Sequence, residues 1–214
     1  MLQLGETLSP EFLATATLVV LAPGTGVIYT LSNGVFRGAR ASIAAAFGCT
    51  LGIVPHLLAS LLGLAALLHA SALAFQVVKI LGIAYLLYLA WGLWRDTGAL
   101  ALQDPAAGQG RARQLGRVAL RGALINILNP KLSIFFLAFL PQFVPAAAPD
   151  ALPRLLLLSA TFMALTFVIF VGYGLAANSL RRLVLSSRRL TRWLQRAFAA
   201  AFAGFAVKLA LTER

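Results

Sequence analysis

Residues 124–143 read LINILNPKLSIFFLAFLPQF, an apolar stretch with two asparagines, a proline and a lysine close together. Proline has no N–H, so Pro130 leaves the carbonyl of Asn126 without its helical partner and pushes the helix open. Unpaired backbone groups are costly in hydrocarbon unless protein or water satisfies them. A cation such as Lys131 in mid-span costs about 2.5 to 3.5 kcal/mol on insertion scales. The stretch therefore predicts a broken membrane helix around a polar binding or gating site. The alternative is a proline kink bridged by asparagine, with the lysine reaching toward the membrane surface.

The composition of the whole chain also indicates a membrane protein. Of its 214 residues, 60% are hydrophobic and 11% charged, and the mean hydropathy is +0.88. A soluble core of this size cannot hide so much apolar surface, so lipid is the expected solvent. The formal net charge is +12, but the arginines cluster in connectors between apolar runs. That distribution is typical of membrane topology and argues against a nucleic-acid-binding surface.

Six apolar stretches are long enough to cross a bilayer core, which needs about 20 helical residues. They are residues 8–31, 42–68, 72–93, 118–144, 152–175 and 193–211. Arginines are concentrated after the first, third and fifth stretches. By the positive-inside rule these connectors are cytoplasmic and both termini lie outside. The chain has no Lys or Arg before Arg37, so the first stretch is expected to be a retained span of a multi-pass inner-membrane protein.

The six spans divide into two halves of three. We predict an all-α integral membrane protein with a single transmembrane domain: half one 1–95, cytoplasmic loop 96–117 and half two 118–214. The first span of each half contains a break, APGTG at 22–26 and NPK at 129–131. Three spans per half place the halves in opposite orientations, so the two halves form an inverted repeat with proline-broken first helices.

The break in the first span offers polar backbone at a depth similar to NPK. Pro23 releases the carbonyl of Val19, and Gly24 and Gly26 permit conformations closed to other residues. Unwound backbone presents carbonyls and N–H groups that suit a zwitterion. Alone, APGTG could be an ordinary hinge, but a second break in the matching span favours a binding site.

Other polar or small residues in the spans have two possible roles each. Gly48 and Gly52 form a GxxxG pattern, for which close helix packing is the default interpretation. His56 could carry protons or be a hydrogen-bonded structural residue, and Lys79 could be structural or take part in proton coupling. Gly204 belongs to a small-residue stripe that suits helix packing or a dimer seam.

Several chemistries lack the residues that they need. Glu11 sits at the outer margin of the first span and no other Asp or Glu lies within a span, so a carboxylate proton relay or a metal site has no ligands at depth. Cys49 is the only cysteine, which excludes an internal disulfide and a CxxC redox pair. No nucleotide-binding, zinc-protease or serine-hydrolase motif occurs in a usable context. We therefore expect no cofactor, no metal and no enzymatic activity.

Four stretches resemble one known family. RGALINILNPKLSIFFLAFLPQFV (121–144) resembles the fourth-segment signature of the lysine-exporter (LysE/RhtB) family of amino-acid translocators. APG near the end of span one, GARASIAAAFGCTLG (38–52) and KILGIAYLLYLAWGLWR (79–95) agree with it. The resemblance implies an oligomeric exporter of amino acids or related metabolites, driven by the proton gradient. It implies a functional core of Pro23, Gly24, Asn126, Asn129, Pro130 and Lys131. In family members, PGP is usually followed by a polar or acidic residue, whereas in this chain Thr25 and Gly26 follow Pro23 and Gly24. Backbone groups are therefore left to act as ligands at this point in place of a side chain.

The leading hypothesis is a secondary transporter that works by alternating access. Its partners would be an amino-acid-like substrate, protons, the lipid bilayer and a second copy of the chain in a dimer, with no nucleic acid. Asn126, Asn129 and the freed carbonyls would hold the substrate ammonium, and Lys131 or exposed N–H groups the carboxylate. The alternatives are a membrane scaffold or assembly protein without a transport cycle, and an intramembrane enzyme or electron carrier, against which the missing carboxylates and paired cysteines argue.

Overall fold

The computed structural model describes residues 8–61, 72–95, 109–129, 131–132, 135–136, 140–144 and 150–211, and all regular elements among them are helical. The elements are α1 Pro10–Leu21, α2 Thr25–Arg37, α3 Ala39–Leu51, α4 Val54–Leu61, α5 Ala72–Arg95, α6 Gln109–Ile127, the 3-10 helix Leu140–Phe143, α7 Ala151–Ser179, α8 Arg181–Leu185 and α9 Arg188–Leu211. Pro130, most of the predicted loop 96–117 and the chain ends lie outside the described residues. The expected all-α class is confirmed for the part of the chain that the structure describes.

Within those residues, two helical stretches are long and apolar enough to cross a membrane. They are Ala39–Ser60, with 22 residues, and Ala151–Ser179, with 29 residues. A third is present if α1 and α2, which meet at 55°, are counted as one bent span. Leu18, Val168 and Trp193 are among many large apolar side chains that remain exposed. Such surface is typical of a helix bundle that contacts lipid.

The first break lies where the sequence predicts it. Ser9 caps α1 by accepting a hydrogen bond from the Phe12 N–H at 3.2 Å. The helix ends at Leu21, because Pro23 removes an N–H and favours extended backbone at Ala22, which has φ −61° and ψ 121°. Gly24 is also extended, and α2 begins at Thr25.

The fourth predicted span begins earlier than expected. Its helix, α6, begins at Gln109 inside the predicted loop, rather than at residue 118. Residues 109–117 contain three Arg and two Gln, which favour helix and outnumber the two Gly, and the nearest proline, Pro105, precedes them. The arginines of this segment therefore do not mark the start of the helix. At its other end α6 stops at Ile127, before the predicted break.

Two helix pairs approach closely at glycines. A Cβ on Gly48 would lie 1.9 Å from the carbonyl oxygen of Ala119, and one on Gly52 would lie 2.5 Å from that of Ala123. These contacts join α3 to α6, while Gly34 joins α2 to α7 in the same way. At Gly204 an added Cβ would have no described atom within 4 Å, so this glycine sits on an open face of α9.

Candidate functional site

The two breaks meet at one small cavity, which we name the break cavity. It has a volume of about 30 Å³ and lies between α1, α2, α6, α7 and the residues that follow α6. Four predicted site residues line it: Gly24, Asn126, Asn129 and Lys131. Pro23 is exposed next to the cavity and does not line it, and Pro130 is outside the described residues. The structure thus brings together most of the polar residues that the sequence singled out in two distant segments.

Lys131 connects the two breaks directly. Its Nζ donates to the carbonyl oxygen of Val19 and, at 2.9 Å, to that of Ala22. The Val19 carbonyl is the one that Pro23 leaves without a helical donor. These carbonyls also form the C-terminal end of α1, where the helix dipole favours a cation. The ammonium of Lys131 therefore occupies a cation site made from backbone oxygens of the first span.

Asn126 organises the second break. Its side chain is 2% exposed, and its Nδ2 donates to the carbonyl of Cys49 at 2.7 Å. Its own carbonyl, which Pro130 deprives of a helical donor, accepts from the Asn129 N–H at 3.1 Å and contacts His56 Nε2 at 2.8 Å. A carbonyl oxygen carries no hydrogen, so His56 Nε2 is the protonated nitrogen and donates. His56 thus supplies the missing donor from a neighbouring helix.

Asn129 shapes the turn between these groups. Its Oδ1 accepts from the backbone N–H of Lys131 at 3.1 Å, and its Nδ2 is 3.5 Å from Asn126 Oδ1. The first contact is a side-chain turn of the kind that asparagine forms where a helix is interrupted. It aligns the backbone from which the Lys131 side chain reaches α1.

Sequence reasoning missed the contribution of α7. Thr166 and Phe170 line the break cavity, and Tyr173 donates its hydroxyl to the carbonyl of Leu21 at 3.0 Å. These residues belong to an uninterrupted apolar span with no proline or charge in its middle. Nothing in that local pattern indicates which of its faces meets the breaks, so only packing reveals them.

Thr25 stands where the family pattern and this chain diverge. Its hydroxyl is buried at the start of α2, beside the break, and has no hydrogen-bond partner among the described residues. A buried, unpaired hydroxyl is costly and is a position where a bound polar group or water would be satisfied.

The remaining predicted residues lie elsewhere. Lys79 belongs to α5, but its side chain is outside the described residues. Gly48 and Gly52 lie in the α3–α6 contact, whereas Gly204 is on the open face of α9. Of the two proposed proton carriers, only His56 is therefore placed, and it contacts the second break.

A polar site between broken membrane helices defines the class of a membrane translocator, and comparison with known proteins names the family. Residues 17–213 match the family described as LysE type translocator, so the chain belongs to this family. The resemblance noted in the sequence is confirmed, and the family consists of translocators rather than enzymes.

Curated relatives span nearly the whole chain. A homoserine/homoserine lactone efflux protein of Salmonella typhimurium is 32% identical, over 89% of this chain and 90% of the relative. A leucine efflux protein of Salmonella choleraesuis is 27% identical, over 94% of each chain. A Vibrio cholerae protein described as an uncharacterized membrane protein is 34% identical, over 94% of this chain and 96% of its own length. No solved structure matches the chain.

Proposed function

We propose that this protein exports amino acids or related small metabolites across the cytoplasmic membrane, as a secondary transporter driven by the proton gradient. Family membership and the efflux relatives support export of this substrate class. The observation that carries the mechanism is the contact of Lys131, after α6, with the carbonyls of Val19 and Ala22 at the end of α1. A cation that joins two helix breaks is suited to bind, exchange with and release a zwitterion.

The architecture in this proposal is six spans in two inverted halves that rock about the breaks. The helix contacts support it: α2 packs against α7, α3 against α6 and α5 against α9. In the predicted numbering these are spans one with five, two with four, and three with six. A rotation that exchanges the halves replaces span one by four, two by five and three by six. It therefore converts the contact of spans one and five into that of four and two, and it leaves the contact of three and six unchanged. Such a pattern is expected of an inverted repeat.

The break cavity is closed to an amino acid in this conformation. Its volume of about 30 Å³ suits one or two water molecules, whereas ligand pockets begin at about 300 Å³. The helices around it must therefore move apart for a substrate to enter. This requirement fits alternating access, in which the central site opens to one side at a time.

The zwitterion would bind by replacing one ammonium with another. The substrate ammonium takes the carbonyls of Val19 and Ala22 that now hold Lys131, and the released Lys131 pairs with the substrate carboxylate. Asn126 and Asn129 lie beside this position and supply amide groups. Because each charge finds an opposite partner, the exchange leaves no unpaired ion in a medium where one costs several kcal/mol.

Further parts of the proposal concern coupling, orientation and assembly. His56 is the proton carrier that the described residues offer at the breaks, with Lys79 as the second candidate. The arginine-rich connectors are cytoplasmic, and both termini lie outside. The open face of α9 around Gly204 is a contact surface for a second copy of the chain in a dimer.

The central test removes the ammonium of Lys131. We expect Lys131→Ala to abolish export of preloaded amino acids from vesicles while the protein still inserts, and Lys131→Arg to retain part of the activity because it keeps the cation. Export is measured over an amino-acid panel, with and without an uncoupler. Full export by Lys131→Ala would overturn the role of Lys131. A flat result over the panel for the wild type would overturn the transport proposal and favour a scaffold.

A further inference from the structure

A second cavity begins about one turn along α2 from the first break and extends to Arg37, the last residue of that helix. It has a volume of about 320 Å³ and is enclosed by α2, α5, α6 and α9. We name it the arginine cavity. Its polar lining comprises Tyr29, Ser32, Asn33, Arg37, Tyr88 and Arg121. The volume is at the lower end of the range for small-molecule pockets and suits a single amino acid.

The lining has the chemistry to bind a carboxylate. Arg37 and Arg121 come from different helices, α2 and α6, and both face this space. The residues of the described ranges that line the cavity include no Asp or Glu. A guanidinium presents a planar set of donors that matches a carboxylate, and such charge-assisted hydrogen bonds are among the strongest in proteins.

The same surroundings disfavour a cationic side chain. Arg95 lies over the ring of Trp91 at 5.4 Å, and Arg196 lies over that of Trp94 at 5.5 Å. Trp91 lines the cavity and is 61% exposed, so Arg95 stands close to the opening, whereas Trp94 does not line the cavity. A guanidinium group near the opening attracts anions and repels cations.

The position of the cavity relates it to the transport route. Gly26 and Val27 line the break cavity, and Tyr29 and Ser32 line the arginine cavity, so α2 forms a wall of both. Neighbouring helical residues are about 1.5 Å apart along the axis, which makes the two spaces adjacent. Arg37, at the end of α2, belongs to the basic connector that the positive-inside rule places in the cytoplasm.

We propose that the arginine cavity is the cytoplasmic entry site of the transporter, where Arg121 and Arg37 bind the carboxylate of an amino acid whose side chain is not cationic. The inference rests on the proposed export function and adds a substrate class to it. Amino acids with uncharged side chains bind here before they reach the breaks. Lysine and arginine, whose side chains carry a further positive charge, are disfavoured.

The experiment measures half-saturating concentrations in inverted membrane vesicles, whose outer surface is the cytoplasmic face. The probes are the amino acid that the wild type transports fastest and the amide of the same amino acid, which lacks the carboxylate. We expect Arg121→Gln to raise the half-saturating concentration of the acid by roughly tenfold or more, as loss of a charge-assisted hydrogen bond implies. The half-saturating concentration of the amide should change by less than about twofold, because the amide has no carboxylate whose contact with Arg121 could be lost.

Two matched variants accompany this measurement. Arg117→Gln removes an arginine of the same helix that is exposed and does not line the cavity, and it should leave both values unchanged. Arg121→Lys keeps the charge but not the planar donor set, so its effect on the acid should be intermediate. The wild type supplies a test that needs no variant: it should bind the acid at least about tenfold more tightly than the amide, and an uncharged amino acid more tightly than lysine.

Distinct results would overturn the inference. Equal affinity of the wild type for acid and amide would contradict the carboxylate site, and so would an unchanged half-saturating concentration of the acid in Arg121→Gln. Neither result would contradict the proposed export function. A loss that is equal for acid and amide, and that disappears in vesicles without anionic lipid, would instead assign the arginines to a lipid phosphate. Absence of transport by the wild type for every probe is the separate failure of the proposed function.

Discussion

At the scale of single residues, each helix break is completed by a side chain from elsewhere in the chain. Pro23 frees the carbonyl of Val19, which accepts from Lys131, and Pro130 frees that of Asn126, which accepts from His56. A lysine in mid-span and an unpaired carbonyl are both costly in lipid. A hydrogen bond between the lysine and the carbonyl reduces both costs.

The contact of His56 with Asn126 gives a prediction about stability. His56→Leu leaves the Asn126 carbonyl with the Asn129 N–H alone, and we expect a loss of about 0.5 to 2 kcal/mol in the free energy of unfolding. His56→Gln retains a donor and should lose less. Thermal unfolding of the purified protein in detergent would detect the difference as a lower Tm for the leucine variant. Identical Tm values for the wild type and His56→Leu would contradict the bond.

The same pair of variants tests proton coupling. If His56 also carries protons, His56→Gln should insert and still exchange substrate across the membrane, while a proton gradient no longer accelerates export. Counterflow and gradient-driven export, measured on the same vesicles, separate these two activities. Normal acceleration by the gradient in His56→Gln would leave Lys79 as the remaining candidate.

At the scale of helices, glycines set how closely α3 and α6 approach. α3 lies against α6 at Gly48 and Gly52, where a methyl group would overlap backbone atoms of α6. Close contact of this kind lets van der Waals packing hold helices together where lipid gives no hydrophobic driving force. The contact also positions Cys49 so that its carbonyl accepts from Asn126.

A methyl group at Gly48 should therefore separate the helices. We expect Gly48→Ala to destabilise the fold by about 1 to 3 kcal/mol, because the overlap is with backbone, which cannot move aside. Gly172→Ala is the matched control, since no described atom lies within 4 Å of its added methyl group. The fraction of monodisperse protein that survives heating in detergent measures both. Equal survival of the two variants would count against the α3–α6 contact.

At the scale of the whole molecule, three helix contacts fit the proposed inverted repeat. In that proposal, exchange of the halves converts the pair α2–α7 into α3–α6 and leaves α5–α9 unchanged. The two breaks meet at the break cavity. In the proposed mechanism, one rocking motion of the halves about the breaks opens this cavity to either side.

The orientation of the molecule is open to a direct measurement. An odd number of spans separates each terminus from the connector after the third span, so a C-terminal alkaline phosphatase fusion should be active and a C-terminal green fluorescent protein fusion should be dark. Fusions made after Arg95 should behave in the opposite way. A fluorescent C-terminal fusion would place that terminus in the cytoplasm and reverse the proposed orientation.

Local chemistry explains what could be predicted from the residues alone. Proline lacks an N–H wherever it stands, so the ends of α1 at Leu21 and of α6 at Ile127 follow from Pro23 and Pro130 without knowledge of the fold. Apolar runs likewise predicted the helices Ala72–Arg95 and Ala151–Ser179 to within a few residues. The start of α6 was missed because arginine marks a membrane surface but does not end a helix.

The sequence by itself determined the helical membrane class, the two breaks, the family and the polar residues that surround the break cavity. Only the tertiary structure decided that Lys131 caps α1, that His56 donates to Asn126, that α7 supplies Tyr173 and that Arg37 and Arg121 share a cavity. The physical reason is the range of each interaction. A proline disrupts the hydrogen bond of its own turn, whereas the donor that repairs the turn comes from a residue far along the chain, and helix packing alone brings it there.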